Sequence, residues 1–399
     1  MSKKKNRNVG IIGIGMTQFS SHKEYQSQPE MVNEAVRKAL ADANLTMDDI
    51  DAVVHGNMEL FEMVYQPDHW HVLGTGAFGK SMYRLTTGGT VGTTVVCAAD
   101  NLVASGMHDL VLAIGYQKQG ECGSTTAGIT NMADPFWMRK IQTGALTATN
   151  VNRFINAVGK ERALRAGMKH RVMIDKNSMK NPNAHRRLGL EYDQIDDLME
   201  RSPKLVGELQ MIHMCSQSDG ACAMIFASEE KAKQLSRKPV WIRDHVAIHL
   251  GENTAVDLAW ERPEMSMKVA AGELFPRNGI TNPIEYFDVF EEYDPSVWWG
   301  LEWFGEFMGL TLEQVIEMVE NGDLEIGGKI PFNPSGGVVG TNAIGATAMV
   351  RVAEAALQVR GDAGEYQVKD VRHALASGYG GTYWTVLVML EKELDWQEV

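Results

Sequence analysis

Three glycine-rich turns hold the residues with the widest chemical latitude. They are RLTTGGTVGTT around Gly88, Gly89 and Gly92, NPSGGVVGTNAIGATA around Gly336, Gly337 and Asn342, and SGYGG ending on Gly380 and Gly381. Without a Cβ, such turns let backbone approach a ligand closely, although tight-turn geometry alone also selects glycine. A phenol and a carboxyl, Tyr293 and Asp294, follow the apolar run Phe287–Phe290 in FDVFEEYD. A phenol donates a hydrogen bond to a developing oxyanion, or acts as a base if nearby charge lowers its pKa. His55 ends the strand-like VVH and would reach a site from the first half, though a lone strand-end histidine is more often structural. Asp68, His69 and His71 in DHWH read as a loop, and His213 and Cys215 as core packing between the halves.

Charge supplies a second signal. Between Met138 and Arg187 stand twelve Lys/Arg against Glu161 and Asp175, so this segment is +10 in a chain of net charge −13. A basic island in an acidic chain suits a phosphate-bearing cofactor better than a nucleic acid, with a solvated helical face as the bland alternative. Lys118, Arg139, Lys140, Arg186 and Arg187 are the candidates for phosphate contact. Cys97, Cys122, Cys215 and Cys222 form no CxxC pair, which argues against a zinc site in this chain and fits a reducing compartment. No run of 18 apolar residues is present, and no secretory core follows the basic start, so a cytoplasmic location without membrane insertion is expected. The 23 methionines and nine tryptophans fit an adaptable interior or a site for a bulky apolar group.

The elements that must position these residues read as α/β. Val9–Met16 is strand-like, Gln28–Ala43 has helical apolar spacing behind Pro-Glu, and Asp51–Val54 is a short strand. The turn at Gly88 leads into a helix ending near Gly106, followed by the strand Leu110–Gly115. The second half repeats this order. Val240–Ile248 is a strand, Gly305–Asn321 a helix, and Ile344–Val359 the helix after the second glycine turn. Thr385–Leu390 is the last strand. Two glycine turns feeding Ala/Val-rich helices suggest internal duplication. Residues 1–235 and 236–399 are the expected halves, with about 120–204 as an inserted helical lobe over the site.

The opening VGIIGIGMTQF resembles the first strand of the sterol-carrier-type thiolases. SGMHDLVLAIGYQK, CSQSDGACAMIFASEEKA, NPSGGVVGTNAIGATA and SGYGGTYW resemble, in order, later segments of that family. The resemblance runs from Val9 to Leu390. It implies the thiolase fold, two similar halves stacked as five αβαβα layers, with a loop domain over coenzyme A and a homodimeric core. It implies acyl-CoA as substrate and coenzyme A as substrate or co-substrate.

The departures from the family pattern bear on mechanism. Gly89 stands where thiolases carry the nucleophilic Cys at a helix N-terminus, a position that lowers a thiol pKa. Tyr293 replaces a catalytic-site His beside Asp294, Asn342 replaces the His of the late glycine loop, and Ser377 replaces the last Cys. Cys97, two turns along the helix, reads as a buried core thiol. This pattern resembles a branch that works with a small zinc-ribbon/OB-fold subunit. The branch includes steroid side-chain retro-aldolases, which use tyrosines, and the thiolase-like subunit of the benzoylsuccinyl-CoA thiolase of anaerobic toluene breakdown. The resemblance therefore implies a thiolase-type C-acyltransferase, with benzoylsuccinyl-CoA and CoA giving benzoyl-CoA and succinyl-CoA as its most specific form. Retro-aldol cleavage of a β-hydroxy acyl-CoA and a non-catalytic scaffold are the alternatives. Tyr293, Asn342, His55 and Asp294 are the expected reacting groups, with Asn342 and backbone N–H groups near Gly380 and Gly381 as an oxyanion hole. Arg186, Arg187, Arg139, Lys140, Gly336, Gly337, Gly380 and Gly381 are the expected cofactor contacts.

Overall fold

The computed structural model describes residues 7–62, 66–121, 143–250, 265–380 and 384–394. Arg139, Lys140, Cys122 and Gly381 lie outside them.

The chain starts with β1 (Val9–Met16), buried along its whole length. Helix α1 (Gln28–Ala43) opens on a Ser27–Glu30 capping box with Pro29 in the first turn, and buries one apolar stripe from Met31 to Ala43. There follow β2 (Ala52–Gly56), α2 (Asp68–Thr75), β3 (Ser81–Leu85), α3 (Val91–Ala104) and β4 (Leu110–Lys118). The DHWH segment is thus helical rather than a loop. The described part of the expected lobe is helical, with α4 (Thr143–Val158) and α5 (Lys160–Lys180). A small hairpin, β5 (Lys204–Val206) and β6 (Leu209–Gln210), leads to β7 (Asp219–Ser228), which closes the first half.

The second half contains β8 (Val240–His249), α6 (Ser266–Arg277), β9 (Val289–Glu291), α7 (Val297–Met308) and α8 (Leu312–Asn321). It ends with the short α9 (Gly337–Gly340), α10 (Ile344–Arg360), β10 (His373–Tyr379) and β11 (Trp384–Glu391). The single helix expected over Gly305–Asn321 is two helices. Gly309 adopts φ 70° at the end of α7, and a Thr311–Gln314 capping box restarts the chain as α8.

Duplication is visible in the strand order β3-β2-β4-β7-β1-β8-β11-β10-β9. Reading outward from the centre, β1-β7-β4-β2 and β8-β11-β10-β9 have the same sequence of antiparallel, antiparallel and parallel pairings. Among the described residues, the strands of the two halves are joined through β1 and β8 at Gly10 with Trp241 and Ile11 with Val240. The two sheets fold around α3 and α10, which share one apolar cluster with the inner faces of both halves. The outer face of the first half packs on α1, and that of the second on α6 and α7. The result is five layers, α-β-α-β-α. At Gly92 the two central helices cross so closely that a Cβ would lie 2.3 Å from the Met349 amide nitrogen.

Candidate active site

The parallel pair β9 and β10 ends at one edge of the molecule, and the N-termini of α3 and α10 arrive at the same place. The carboxyl ends of parallel strands are a common location for ligand sites. Gly89, just before α3, lies against β10 and the segment after β9. A Cβ there would come within 2.5 Å of the Tyr379 carbonyl oxygen and 3.0 Å of the Tyr293 hydroxyl. Gly88 meets the Gly380 backbone in the same way, with a Cβ 2.8 Å from its carbonyl oxygen. The phenol therefore occupies the space that a side chain at Gly89 would need. The positive end of the α3 dipole lies beside it and favours negative charge on oxygen.

Tyr293 is buried, and its backbone N–H bonds the Ser377 hydroxyl at 3.0 Å. Burial pushes its pKa above the ordinary phenol value, with Cys215 adding to the effect, so the resting group is a neutral donor. Asn342 is fixed from several sides. Its N–H bonds the Ser218 hydroxyl at 3.1 Å, and its carbonyl accepts from the Gln119 side chain at 2.6 Å. The Thr347 hydroxyl donates to Oδ1 at 3.1 Å, which turns Nδ2 toward Cys215 Sγ at 3.3 Å.

Asp294 is placed as a support. Its Oδ1 accepts the Val338 N–H at 2.6 Å, and a Cβ on Gly337 would lie 2.5 Å from that oxygen. Gly337 has φ 60°, so both space and backbone conformation require glycine there. Burial lifts the Asp294 carboxyl to about 7 from 3.8, against the lowering effect of the Val338 bond. A group raised on folding stabilises the fold fully below its unfolded pKa, and that contribution is lost as pH rises through the folded value. Asp294→Asn removes this dependence. The difference in melting temperature should therefore move in the variant's favour between about pH 5 and about pH 8. A constant difference would show that Asp294 titrates normally.

Other expected site residues fall elsewhere. His55 is fully buried, and its Nδ1 pairs with the Tyr116 hydroxyl at 3.2 Å. Val54 faces α3, whereas Val53 belongs to the α1 side, and strand alternation puts His55 on that outer face, away from Tyr293. Burial and then Arg84 lower its pKa to about 4. The oxyanion hole cannot use the Gly380 N–H, which donates to the Trp384 carbonyl at 2.9 Å. Gly336, with φ 97°, packs on Ser178. Lys118 is buried and paired with Glu121.

Much of the basic island is also neutralised. Lys160 pairs with Glu208 at 2.6 Å, Arg162 with Glu320 at 2.8 Å, Arg165 with Asp196 and Lys176 with Glu191. A groove of about 600 Å³ at the start of α5 is lined by Lys160, Arg162, Arg165 and Lys169. It covers the first half of α5, roughly 14 to 27 Å along the helix from Ser178, which packs on the glycine loop, so it is not the reaction site. Arg187 is exposed and bonds the Ala184 and Pro182 carbonyls. Arg186 is half-buried, bonds the Met214 carbonyl at 2.5 Å and lies beside Cys215.

Two features escaped the sequence reading. Cys215, expected as core packing, instead contacts the candidate residue Asn342. An aromatic wall also flanks the site. Trp303 lies 4.1 Å from Tyr379 between ring centres, and Trp299 lies 5.1 Å from Trp303. The VWWGLEW spacing signals a helix rich in tryptophan, but not that it faces Tyr379. Cys97 is buried on α3 and bonds His245, as expected of a structural thiol.

Residues 265–392 match the family "Thiolase C-terminal domain-like". Over 93% of its length the chain is 29% identical to sterol carrier protein 2 of Oryctolagus cuniculus, covering 70% of that protein. It is 26% identical to an acetyl-CoA acetyltransferase of Methanothermobacter thermautotrophicus, over 96% of this chain and 98% of the relative. It is 25% identical to the 17-hydroxy-3-oxo-4-pregnene-20-carboxyl-CoA lyase of Mycobacterium tuberculosis, again over 96% and 98%. Among solved structures, the Ltp2-ChsH2(DUF35) aldolase aligns with TM-score 0.79 at 24% identity, over 98% of this chain and 99% of that one. Human mitochondrial 3-ketoacyl-CoA thiolase aligns with TM-score 0.71 at 14% identity, over 98% and 100%. The fold, the repeated strand order and this full-length similarity agree: the chain has a thiolase fold and is similar to the sterol carrier protein 2-like thiolases.

Proposed function

We propose that the chain is an enzyme that breaks or forms a carbon–carbon bond in a coenzyme A thioester by proton transfer through Tyr293, without a covalent acyl-enzyme. The observation that carries this reading is the Tyr293 hydroxyl 3.0 Å from the point where a Gly89 Cβ would stand. The phenol and the missing side chain are complementary, so the loss of the cysteine is matched by a gain. Retro-aldol cleavage of a β-hydroxy acyl-CoA needs a proton acceptor for the hydroxyl and no protein nucleophile, which suits this arrangement. The similarities to a steroid-side-chain CoA lyase and to an aldolase structure support it. Thiolytic cleavage by free coenzyme A, including benzoylsuccinyl-CoA to benzoyl-CoA and succinyl-CoA in anaerobic aromatic degradation, is the second reading. The Trp299–Trp303–Tyr379 wall favours a flat or bulky acyl group in either case. Asn342 and the α3 N-terminus serve the enolate oxygen, and Arg186 and Arg187 remain candidates for the coenzyme's phosphates.

The test is direct. The protein is incubated with β-hydroxy acyl-CoA alone and with β-keto acyl-CoA plus CoA, and products and intact protein mass are measured. Cleavage products with unmodified protein are expected. A thioester on any cysteine would sink the non-covalent reading, and no cleavage of either substrate class would favour a scaffold.

For partners we propose a homodimer through the first half together with a small zinc-ribbon/OB-fold subunit, in the cytoplasm. The DUF35 component of the aligned aldolase structure supports the second subunit. Among the described residues no helix is long and apolar enough to cross a membrane. The dimer reading rests on β3, an end strand of the sheet, flanked by exposed Trp70 (68%), Leu73 (71%) and Phe78 (65%). Open strand edges and clustered exposed apolar groups invite pairing. The double change Trp70→Lys with Leu73→Glu should shift sedimentation from dimer to monomer. An unchanged sedimentation coefficient would place the interface elsewhere.

A further inference from the structure

Cys215 joins the elements that build the site. Its N–H bonds the Pro295 carbonyl at 3.0 Å, which ties it to the segment just past Tyr293 and Asp294. Its Sγ accepts from Asn342 Nδ2 at 3.3 Å, and that amide is held in orientation by Thr347. The Arg186 guanidinium lies alongside, anchored on the neighbouring Met214 carbonyl. Cys215 packs against the apolar cluster that contains Tyr293, close enough to raise the cost of ionising the phenol. A purely structural thiol has no need of an amide donor and a cation. Both are arranged to receive negative charge on sulfur.

We propose that the Cys215 thiol delivers the proton to the α-carbon of the acyl-CoA enolate, in line with Tyr293. The proposal rests on reading the site as an acyl-CoA carbon–carbon lyase. In the retro-aldol direction the β-hydroxyl proton passes to the Tyr293 oxygen as the C–C bond breaks. The Tyr293 proton passes to Cys215 sulfur, and the Cys215 proton forms the new α C–H bond. One carbonyl product and one acyl-CoA leave, and both side chains return to their neutral states. In the thiolytic direction the proton that enters the relay comes from the CoA thiol, and its α-carbon end is unchanged. Burial pushes the Cys215 thiol up to about 11, so it rests as an acid rather than a nucleophile. Asn342 and Arg186 then stabilise the thiolate during the moment it exists.

The experiment measures the partial reaction at the α-carbon. The enzyme, as purified with any subunit it retains, is incubated in D2O with acetyl-CoA, propionyl-CoA and succinyl-CoA separately, and deuterium at the α-carbon is read by mass spectrometry. Wild type and Cys97→Ala should exchange at matching rates. Cys215→Ala should fall by roughly 100-fold. Cys215→Ser keeps the shape and guards against misfolding; it should fall nearly as far, while coenzyme A affinity by calorimetry and melting temperature stay near wild type. If wild type exchanges and both Cys215 variants match it, the thiol is not the donor and the acyl-CoA reading survives. If exchange and coenzyme A binding fall together in Cys215→Ser, the residue only shapes the site and the proposal fails. If wild type exchanges none of the three thioesters, both the proposal and the reading beneath it are overturned.

Discussion

Tyr293→Phe should lower turnover by roughly 100-fold or more, with the melting temperature nearly unchanged. The ring belongs to the apolar cluster on the outer side of the second half and is only 6% exposed. Phenylalanine keeps that packing and removes one oxygen. The oxygen is the atom that stands over Gly89, at the N-terminus of α3 and next to Cys215. A hydroxyl that merely packed there would cost a few-fold. The raised pKa sharpens the expectation, because a phenol that stays neutral through physiological pH acts by passing a proton rather than by resting as a phenolate. The rate of the wild type should therefore show no rise that follows phenolate formation near neutral pH. Steady-state rates on an acyl-CoA substrate, with folding checked by thermal melting, decide the matter. A near-normal rate in a folded Phe variant removes Tyr293 from the mechanism.

The legible parts of this protein were those written in local pattern. β1 and α1 have the expected limits because an unbroken apolar run and a Ser-Gln-Pro-Glu start are local signals. The two glycine turns before α3 and α10 were visible for the same reason, whereas the contact of Gly88 with Gly380 of the third turn depends on how the halves pack. The candidates Tyr293 and Asn342 came from order along a family pattern, and Cys215 links them, through its bond from Asn342 and its N–H to the Pro295 carbonyl. What failed depends on contacts across the chain. The +10 segment lost most of its meaning once Glu208, Glu320, Asp196 and Glu191 folded against it. Such exposed pairs stabilise little, yet they remove the field that a sequence window appears to promise. His55 was misread because strand end alone does not give strand face. Cys215 was missed because its partner Asn342 lies 127 residues away, and Ser218 beside it gave no hint of the contact.

The second large effect lies behind the site, where a buried ion pair connects α10 to the end of β9. Arg351 on α10 reaches Glu291 at the end of β9 at 2.6 Å and the Ser335 hydroxyl at 2.7 Å. Ser335 closes the triangle through its own N–H and hydroxyl to Glu291, at 3.0 and 2.6 Å. Glu354, one turn along α10, is held by Asn181 at 2.9 Å and Tyr366 at 2.7 Å. This network sets β9, which ends two residues before Tyr293, against the helix that begins after Asn342. Burial pushes Glu291 up to about 7 even with Arg351 pulling it down, and Glu354 is also raised. Arg351→Leu removes the only described cation bonded to Glu291. Removing one partner of such a pair typically costs about 3–5 kcal/mol. The remaining carboxyls relieve the cost by taking protons, and raised carboxyl pKa values stabilise the fold most at low pH. The denaturation gap between wild type and variant should therefore narrow from about pH 8 to about pH 5. Adding Glu291→Gln to Arg351→Leu should recover part of the loss at pH 8, because the amide needs no counter-charge. A gap that is constant with pH, and a double variant no more stable than the single, would mean that Arg351 acts by volume and not by charge.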